Sequence, residues 1–450
     1  MPEFSIALRD CRYVSSSGME LGSILIENGL IGSIKKSGAV HAERTIDCRG
    51  RVAIPGAIDA HVHVCSPGWL EEDFGSGTSA AAVGGVTTIL DMPSEEPRPT
   101  NNVQSFVEKR AIAEKEALVN FGLYGGEIRT ESDVAQISAL AKEGAIGFKL
   151  ILGGPGFVKD DGVLYSAFEE IRKAHSIAVI HVENAALVDL FRARLKASRK
   201  DASAFLEARP RIVEEEALQR CILFARAAGN RLHIAHACSS MGLEMIAKAK
   251  EQDVSITAET CPHYLLLSKK DYSRYGHLMI VTPPIREITD QKSLWRALSN
   301  GPIDMLATDH CAYTRVVKDK GKLTVWDTPG GLPGLETFLP LMLTHGVAKG
   351  RLSIESLVRL VSEKPARVFG LYPHKGTIRT GGDADLTLLD LKSRYRFRAD
   401  SMKSIGDFSP FDGWEMKGKP VMTMVNGRIV MEDGQVFGDE KAGRFVKRSA

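Results

Sequence analysis

His61 and His63 close an apolar run, Val52–Val64, and in an extended chain residues two apart turn to the same side. Paired imidazoles on one face are a metal-ligand spacing. Four further residues that could serve such a centre stand near the carboxyl ends of similar runs: Lys149 in Gly147-Phe148-Lys149-Leu150, then His181, His236 and Asp309. Each alone has an ordinary explanation, as a packed histidine, a helix-capping aspartate or a lysine reaching for water. Six at equivalent places in five of these runs point instead to one metal centre built from imidazole and carboxylate. Lys149 stands apart, because an ammonium cannot coordinate a cation. An apolar setting favours the neutral amine, which can add carbon dioxide and become an oxygen-donor carbamate. Spacing alone leaves that alternative open beside a lysine that snorkels or pairs with an acid.

The elements that must position these residues follow from periodicity. Eight strand-like runs occur: Val52–Val64, Val86–Pro93, Asn120–Gly126, Ala145–Leu152, Ile177–Glu183, Arg231–Ala237, Val254–Pro262 and Ile303–His310. Between them, stretches such as Val103–Lys115, Asp133–Glu143, Glu214–Ala228 and Met241–Lys250 carry apolar residues at helical spacing. Eight parallel strands with eight crossovers predict a (β/α)₈ barrel, whose strands all deliver their carboxyl ends to one face, where sites of this fold lie. The two ends of the chain read as β instead. Asn28-Gly29 separates Ser23–Glu27 from Leu30–Lys35, and Asn426-Gly427 separates Val421–Val425 from Arg428–Met431, both signals of tight hairpins. The expected layout is a smaller β-sandwich domain from residues 1–54 plus 366–450 around a barrel of residues 55–365, with a disordered basic tail at 441–450.

Composition narrows the partners. The 450 residues are 44% hydrophobic, enough for a large core, and 58 Lys plus Arg against 56 Asp plus Glu leave a formal +2. That balance offers no basic face for nucleic acid, and no run reaches the roughly 18 apolar residues of a membrane span. The seven cysteines are scattered without a C-x-x-C pair, which predicts free thiols and a cytoplasmic protein. Gly153-Gly154-Pro155-Gly156 lacks a following Gly-Lys-Ser/Thr and reads as a loop above the site rather than a phosphate cradle. Cys311 has no base to activate it, and His233 reads as a packed histidine deeper in the barrel.

A resemblance extends these readings. Pro55-Gly56-Ala57-Ile58-Asp59-Ala60-His61-Val62-His63, Ala81-Ala82-Val83-Gly84-Gly85-Val86-Thr87-Thr88, Gly147-Phe148-Lys149, His181-Val182-Glu183-Asn184, Thr260-Cys261-Pro262-His263-Tyr264, Pro283-Pro284-Ile285-Arg286, Thr308-Asp309-His310 and Gly382-Asp383-Ala384-Asp385-Leu386 together resemble the cyclic amidohydrolases of the amidohydrolase superfamily. That group holds hydantoinases, dihydropyrimidinases, allantoinases and dihydroorotases. The resemblance implies a barrel with a β-sandwich from both termini and two divalent metal ions, zinc by expectation, with manganese or cobalt as alternatives. It implies that His61, His63 and Asp309 hold one metal and His181 and His236 the other. Lys149 would bridge them as N6-carboxylysine. A hydroxide between the metals would attack the ring amide, with Asp309 as proton shuttle, and the protein would be a homotetramer acting on a small cyclic amide.

Departures from subfamily patterns sort the substrates. Dihydroorotases resemble H-x-H-x-Arg, where this chain has Cys65; dihydropyrimidinases carry a tyrosine five residues after the modified lysine, where it has Gly154. Asp91-Met92-Pro93, with Pro97, Pro99, Thr100 and Asn101, resembles allantoinases. Trp69, Leu70 and Phe157 instead suggest an apolar wall suited to an aromatic or aliphatic ring substituent. Glu363–Pro373 and Gly443–Arg448 resemble hydantoinases, including the L-type, and by resemblance Thr282 and Gly330 hold the ring imide through backbone groups. The expectation is hydrolysis of a 5-substituted hydantoin, with allantoinase as the alternative. A metal-free adaptor, as in collapsin response mediators that resemble the family, is disfavoured because all six ligand positions are filled.

Overall fold

The computed structural model describes residues 4–15, 17–36, 40–64, 72–93, 99–153, 158, 160–438 and 442–448. Its first five strands, β1 (Phe4–Ser15), β2 (Gly18–Glu27), β3 (Leu30–Lys35), β4 (Ala42–Asp47) and β5 (Val52–Pro55), all belong to one sheet. Four strands from the far end of the chain complete it: β15 (Leu386–Arg396), β16 (Glu415–Val425), β17 (Arg428–Glu432) and β18 (Gln435–Val436). The order is β18-β17-β16-β15-β5-β1-β2-β3, with β4 beside β1. Asn28 and Gly29 take φ of 53° and 81°, and Asn426 and Gly427 take 49° and 77°, the left-handed pair that a type I′ hairpin requires. Leu8, Ile24, Ile26, Ala53, Leu388 and Met422 share one apolar cluster, so both ends of the chain are packed together.

The intervening chain forms the barrel. Its strands are β6 (Ala57–His63), β7 (Val86–Asp91), β8 (Asn120–Leu123), β9 (Phe148–Ile151), β10 (Ala178–His181), β11 (Leu232–Ile234), β12 (Ile256–Thr260), β13 (Met305–Leu306) and β14 (His310–Cys311). Every ladder among them is parallel. The last two are halves of one eighth strand: β13 pairs with β12, whereas β14 pairs with β6 and closes the ring. A bridge between Gly125 and Phe148 joins β8 to β9.

Three sequence expectations need correction. The run Val52–Val64 is two strands, because Val52–Pro55 pairs in the terminal sheet and Gly56 then lies so close to Thr87 that any Cβ there would sit 2.0 Å from its hydroxyl. The stretch Asp133–Glu143 is two short helices, Glu131–Val134 and Ile137–Glu143, the first started by a Thr130–Asp133 capping box. The tail is ordered over 442–448: Phe121 N–H donates to Arg444 O at 3.0 Å and Val446 N–H to Phe121 O at 2.8 Å. The Phe445 ring lies 5.7 Å from that of Phe121, so apolar contact outweighs the basic flanks. Among the described residues no helix is long and apolar enough to cross a membrane.

Candidate active site

Five of the six expected ligand-type residues lie at or just past the carboxyl ends of barrel strands, and Lys149 is the second residue of β9. His61 and His63 end β6, the first wholly buried and the second partly exposed. Asp309 sits between the two halves of the eighth strand, its Oδ1 3.2 Å from His61 Nε2 and 3.5 Å from His63 Nε2. The three ligand atoms lie within 4.8 Å of one another, a spacing one ion could span. On the other side His181, at the end of β10, brings Nδ1 to 3.0 Å from Nε2 of His236, which follows β11. His61 links the two groups, its ring centroid 5.2 Å from that of His236.

Lys149 lies in β9 opposite Val179, two positions before the Ile151–His181 pair, and is 2% exposed. Its charge bears on both His61 and His236, so it stands near an imidazole of each group. His236 and Asp309 have φ of 37° and 50°. Residues with a Cβ adopt that region at a cost, and such strain concentrates where side-chain direction matters more than backbone comfort.

The donor set fits cations. Burial, then the charge of Lys149, holds His61 well below its ordinary pKa, and burial with the neighbouring His181 does the same for His236. Neutral imidazole is the ligand form. His61 Nδ1 lies 2.5 Å from Glu259 Oε1, which directs the proton to that nitrogen and leaves Nε2 as a lone-pair donor. His61 Nε2 and His236 Nδ1 are buried without a hydrogen-bond partner among the described residues. Burial favours the protonated form of Asp309, but His61 and His63 outweigh it and hold the carboxyl below its usual range.

Support residues that spacing did not reveal surround this set. Glu259 on β12 also reaches His233 Nε2 at 3.1 Å, and His233 Nδ1 lies 2.8 Å from Thr257 Oγ1, so His233 is a packed, bonded histidine. Asp59 accepts from Thr308 N–H at 3.0 Å and from its hydroxyl, tying β6 to the eighth strand. Burial pushes the Asp59 carboxyl up to about 7 against those bonds. His181 Nε2 meets Glu183 at 2.9 Å, and Arg209 donates to the same carboxylate oxygen. Burial opposes ionisation of Glu183, but Arg209, His181 and Arg286 hold its carboxyl well below the usual range. His310 Nδ1 accepts from Gly334 and Leu335 N–H, and its Nε2 faces Glu72. Asp59, Glu183 and His310 had a local signal, each two or fewer residues from a strand-end ligand type.

Thr282 and Gly330 face each other: a Cβ built on Gly330 would lie 3.5 Å from Thr282 Oγ1 and 3.7 Å from Thr282 N. With Val188, Phe205, Arg209 and Trp326 they line a cavity of about 150 Å³. Trp69, Leu70 and Phe157, together with Cys65 and Gly154, lie outside the described residues. The six described cysteines are buried, unbridged thiols.

Residues 52–430 match the amidohydrolase family. An L-hydantoinase of Paenarthrobacter aurescens is 39% identical over 99% of this chain and 98% of its own. An allantoinase of Rubrobacter xylanophilus is 35% identical over the same shares. The solved structure titled L-hydantoinase (dihydropyrimidinase) from Arthrobacter aurescens superposes with a TM-score of 0.93 at 38% identity, covering 99% of this chain and all of that one.

Proposed function

The chain belongs to the amidohydrolase family, and from that premise we propose that it opens the ring of a 5-substituted hydantoin to give an N-carbamoyl amino acid. It is a cyclic amidohydrolase, and its family uses a binuclear metal centre. The full-length likeness to an L-hydantoinase carries the choice of ring. His61, His63 and Asp309 would hold one ion, and His181 and His236 the other. Zinc is the expected metal, with manganese or cobalt as alternatives. Bound there, such ions make water nucleophilic near neutral pH and polarise the ring carbonyl.

The chain's own groups do the rest. Lys149, buried among imidazoles, is assigned as the carbamate: its neutral amine adds carbon dioxide, loses a proton and becomes an anion between the two ligand groups. Asp309 begins ionised, its carboxyl held below the usual range. It takes a proton from the attacking water and delivers it to the departing ring nitrogen. The water oxygen stays on the carbonyl carbon, the C–N bond breaks, and the new acid gives the remaining water proton to solvent to become carboxylate. Backbone groups of Thr282 and Gly330 hold the imide edge. Trp69 and Phe157 are assigned to the ring substituent.

The domain boundaries at 54/55 and 365/366 are also part of this reading, and the change of sheet after Pro55 supports the first of them. A homotetramer rests on the resemblance, and light scattering of the purified protein reads it directly.

A substrate panel tests the assignment: hydantoin, 5-benzyl- and 5-isobutylhydantoin, allantoin, dihydrouracil and dihydroorotate, on metal-replete protein. Burying the substituent contributes about 1.5–3 kcal/mol, or roughly ten- to a hundredfold in kcat/KM over allantoin. The allantoinase reading is supported by the 35% likeness over 99% of this chain, and faster turnover of allantoin than of any substituted hydantoin would replace the present reading with it.

A further inference from the structure

Lys318, at the end of the short helix Arg315–Lys318, is wholly buried. Among the described residues no carboxylate pairs with it. Its ammonium spends its three hydrogens on backbone carbonyls, those of Ile280, Pro329 and Gly331, each at 2.9 Å. The Tyr313 and Phe408 rings stand 6.0 and 5.8 Å from the nitrogen. Burial pushes the lysine down to about 7. A buried cation without an acid partner is costly to keep, so its location asks for a reason.

The three carbonyls belong to two separate segments. One leads into Thr282, and the other brackets Gly330 on both sides. The segments are joined directly by one further bond, Gly331 N–H to Ile280 O at 3.0 Å. The N–H groups of Thr282 and Gly330 donate to no acceptor among the described residues. Thr282 N lies 3.7 Å from where a Cβ on Gly330 would stand, and both residues line the same cavity. The Pro329 carbonyl and the Gly330 N–H are two ends of one peptide group. A cation bonded to that oxygen draws electron density along the group and makes the N–H a stronger donor.

We propose that Lys318 is a positioning residue for the imide edge of the substrate: it fixes the distance between Thr282 and Gly330 and strengthens the Gly330 N–H that faces a ring carbonyl. This rests on the reading of Thr282 and Gly330 as the imide-holding pair. The imide is gripped alike before and during ring opening, so the loss belongs in KM rather than kcat.

The test is steady-state kinetics of Lys318→Met with whichever ring of the panel the wild-type enzyme opens fastest, alongside metal content. KM is expected to rise at least about tenfold, with kcat within about threefold and the metal content of wild type. An unaltered KM in a folded, metal-loaded variant overturns the proposal, as does a fall in kcat at constant KM. Should Lys318→Met fail to fold, Lys318→Gln keeps one amide donor and is expected to give an intermediate KM; an unaltered value there overturns it equally. Wild-type protein that opens none of the rings overturns the functional reading and this inference together, whereas a working wild type beside an indifferent Lys318→Met overturns this inference alone.

Discussion

Two buried polar networks sit about the barrel, and they are built on opposite plans. At its carboxyl end, imidazoles crowd round Lys149 and Asp309, two residues there take positive φ, and among the described residues His236 Nδ1 has no hydrogen-bond partner and His61 Nε2 faces Asp309 Oδ1 at 3.2 Å without a hydrogen bond. At the seam between the barrel and the terminal sheet, Asn120 donates to Asp385 at 2.9 Å and accepts from Asn426 and from Arg444 N–H. Asp385 also accepts from Asn426 N–H at 2.7 Å and from Lys375, which reaches Asp383 at 2.8 Å. None of these seam side chains has an orphaned buried atom. Burial opposes the charge on Lys375, but Asp385 and Asp383 outweigh it and raise its pKa. Buried polar groups that find every partner within the chain specify architecture, whereas those left open specify a guest.

The sharpest way to break this contrast is Lys149→Ala. Without an anion between them two cations repel, so the variant is expected to lose both ions and to fall to background turnover, while its fold survives. Metal analysis and circular dichroism check it. Retention of two ions with near-normal turnover would remove Lys149 from the bridging role.

The seam answers the opposite kind of substitution. Asp385→Ala leaves Lys375 without one of its two carboxylates and strips partners from Asn120 and Asn426 N–H. Breaking such a buried pair costs about 3–5 kcal/mol. Urea unfolding should report that loss while kcat of the folded fraction stays near wild type. A fall in kcat at unchanged stability would mean that the seam serves the site.

The smallest effect is expected at the support of the site. Glu259→Gln keeps the shape but weakens the hold on the His61 Nδ1 proton, and removing such a partner typically costs about 10- to 100-fold in metal affinity. Activity should return with excess metal. Failure to return would place Glu259 in the chemistry rather than beneath it.

The sequence discloses these two networks unequally. His61, His63, Lys149, His181, His236 and Asp309 stood out because each closes an apolar run, and a parallel barrel turns that position along the chain into a position in space. The hairpins were legible because Asn-Gly supplies two left-handed residues. Glu259 carried no such mark: it meets His61 across 198 residues, and no local spacing encodes a partner so distant. Lys318 carried no mark either, since burial against carbonyls leaves no trace in composition. The seam was hidden for the same reason, with Asn120 and Asp385 265 positions apart. The break at Pro55 was masked by apolar residues on both sides. The tail misled because its charges are local, whereas the contact that orders it, Phe445 on Phe121, is not.

The central claim is that the open network at the carboxyl end holds two ions and that ring opening depends on them. Its most direct test is the metal content of the purified wild-type chain, counted per polypeptide before and after chelation, with hydrolysis of 5-benzylhydantoin followed on the same samples. Two divalent ions per chain, activity lost as they are removed and regained as they are returned, is the predicted result; full turnover in protein holding no ion, or unchanged after both have gone, would contradict it.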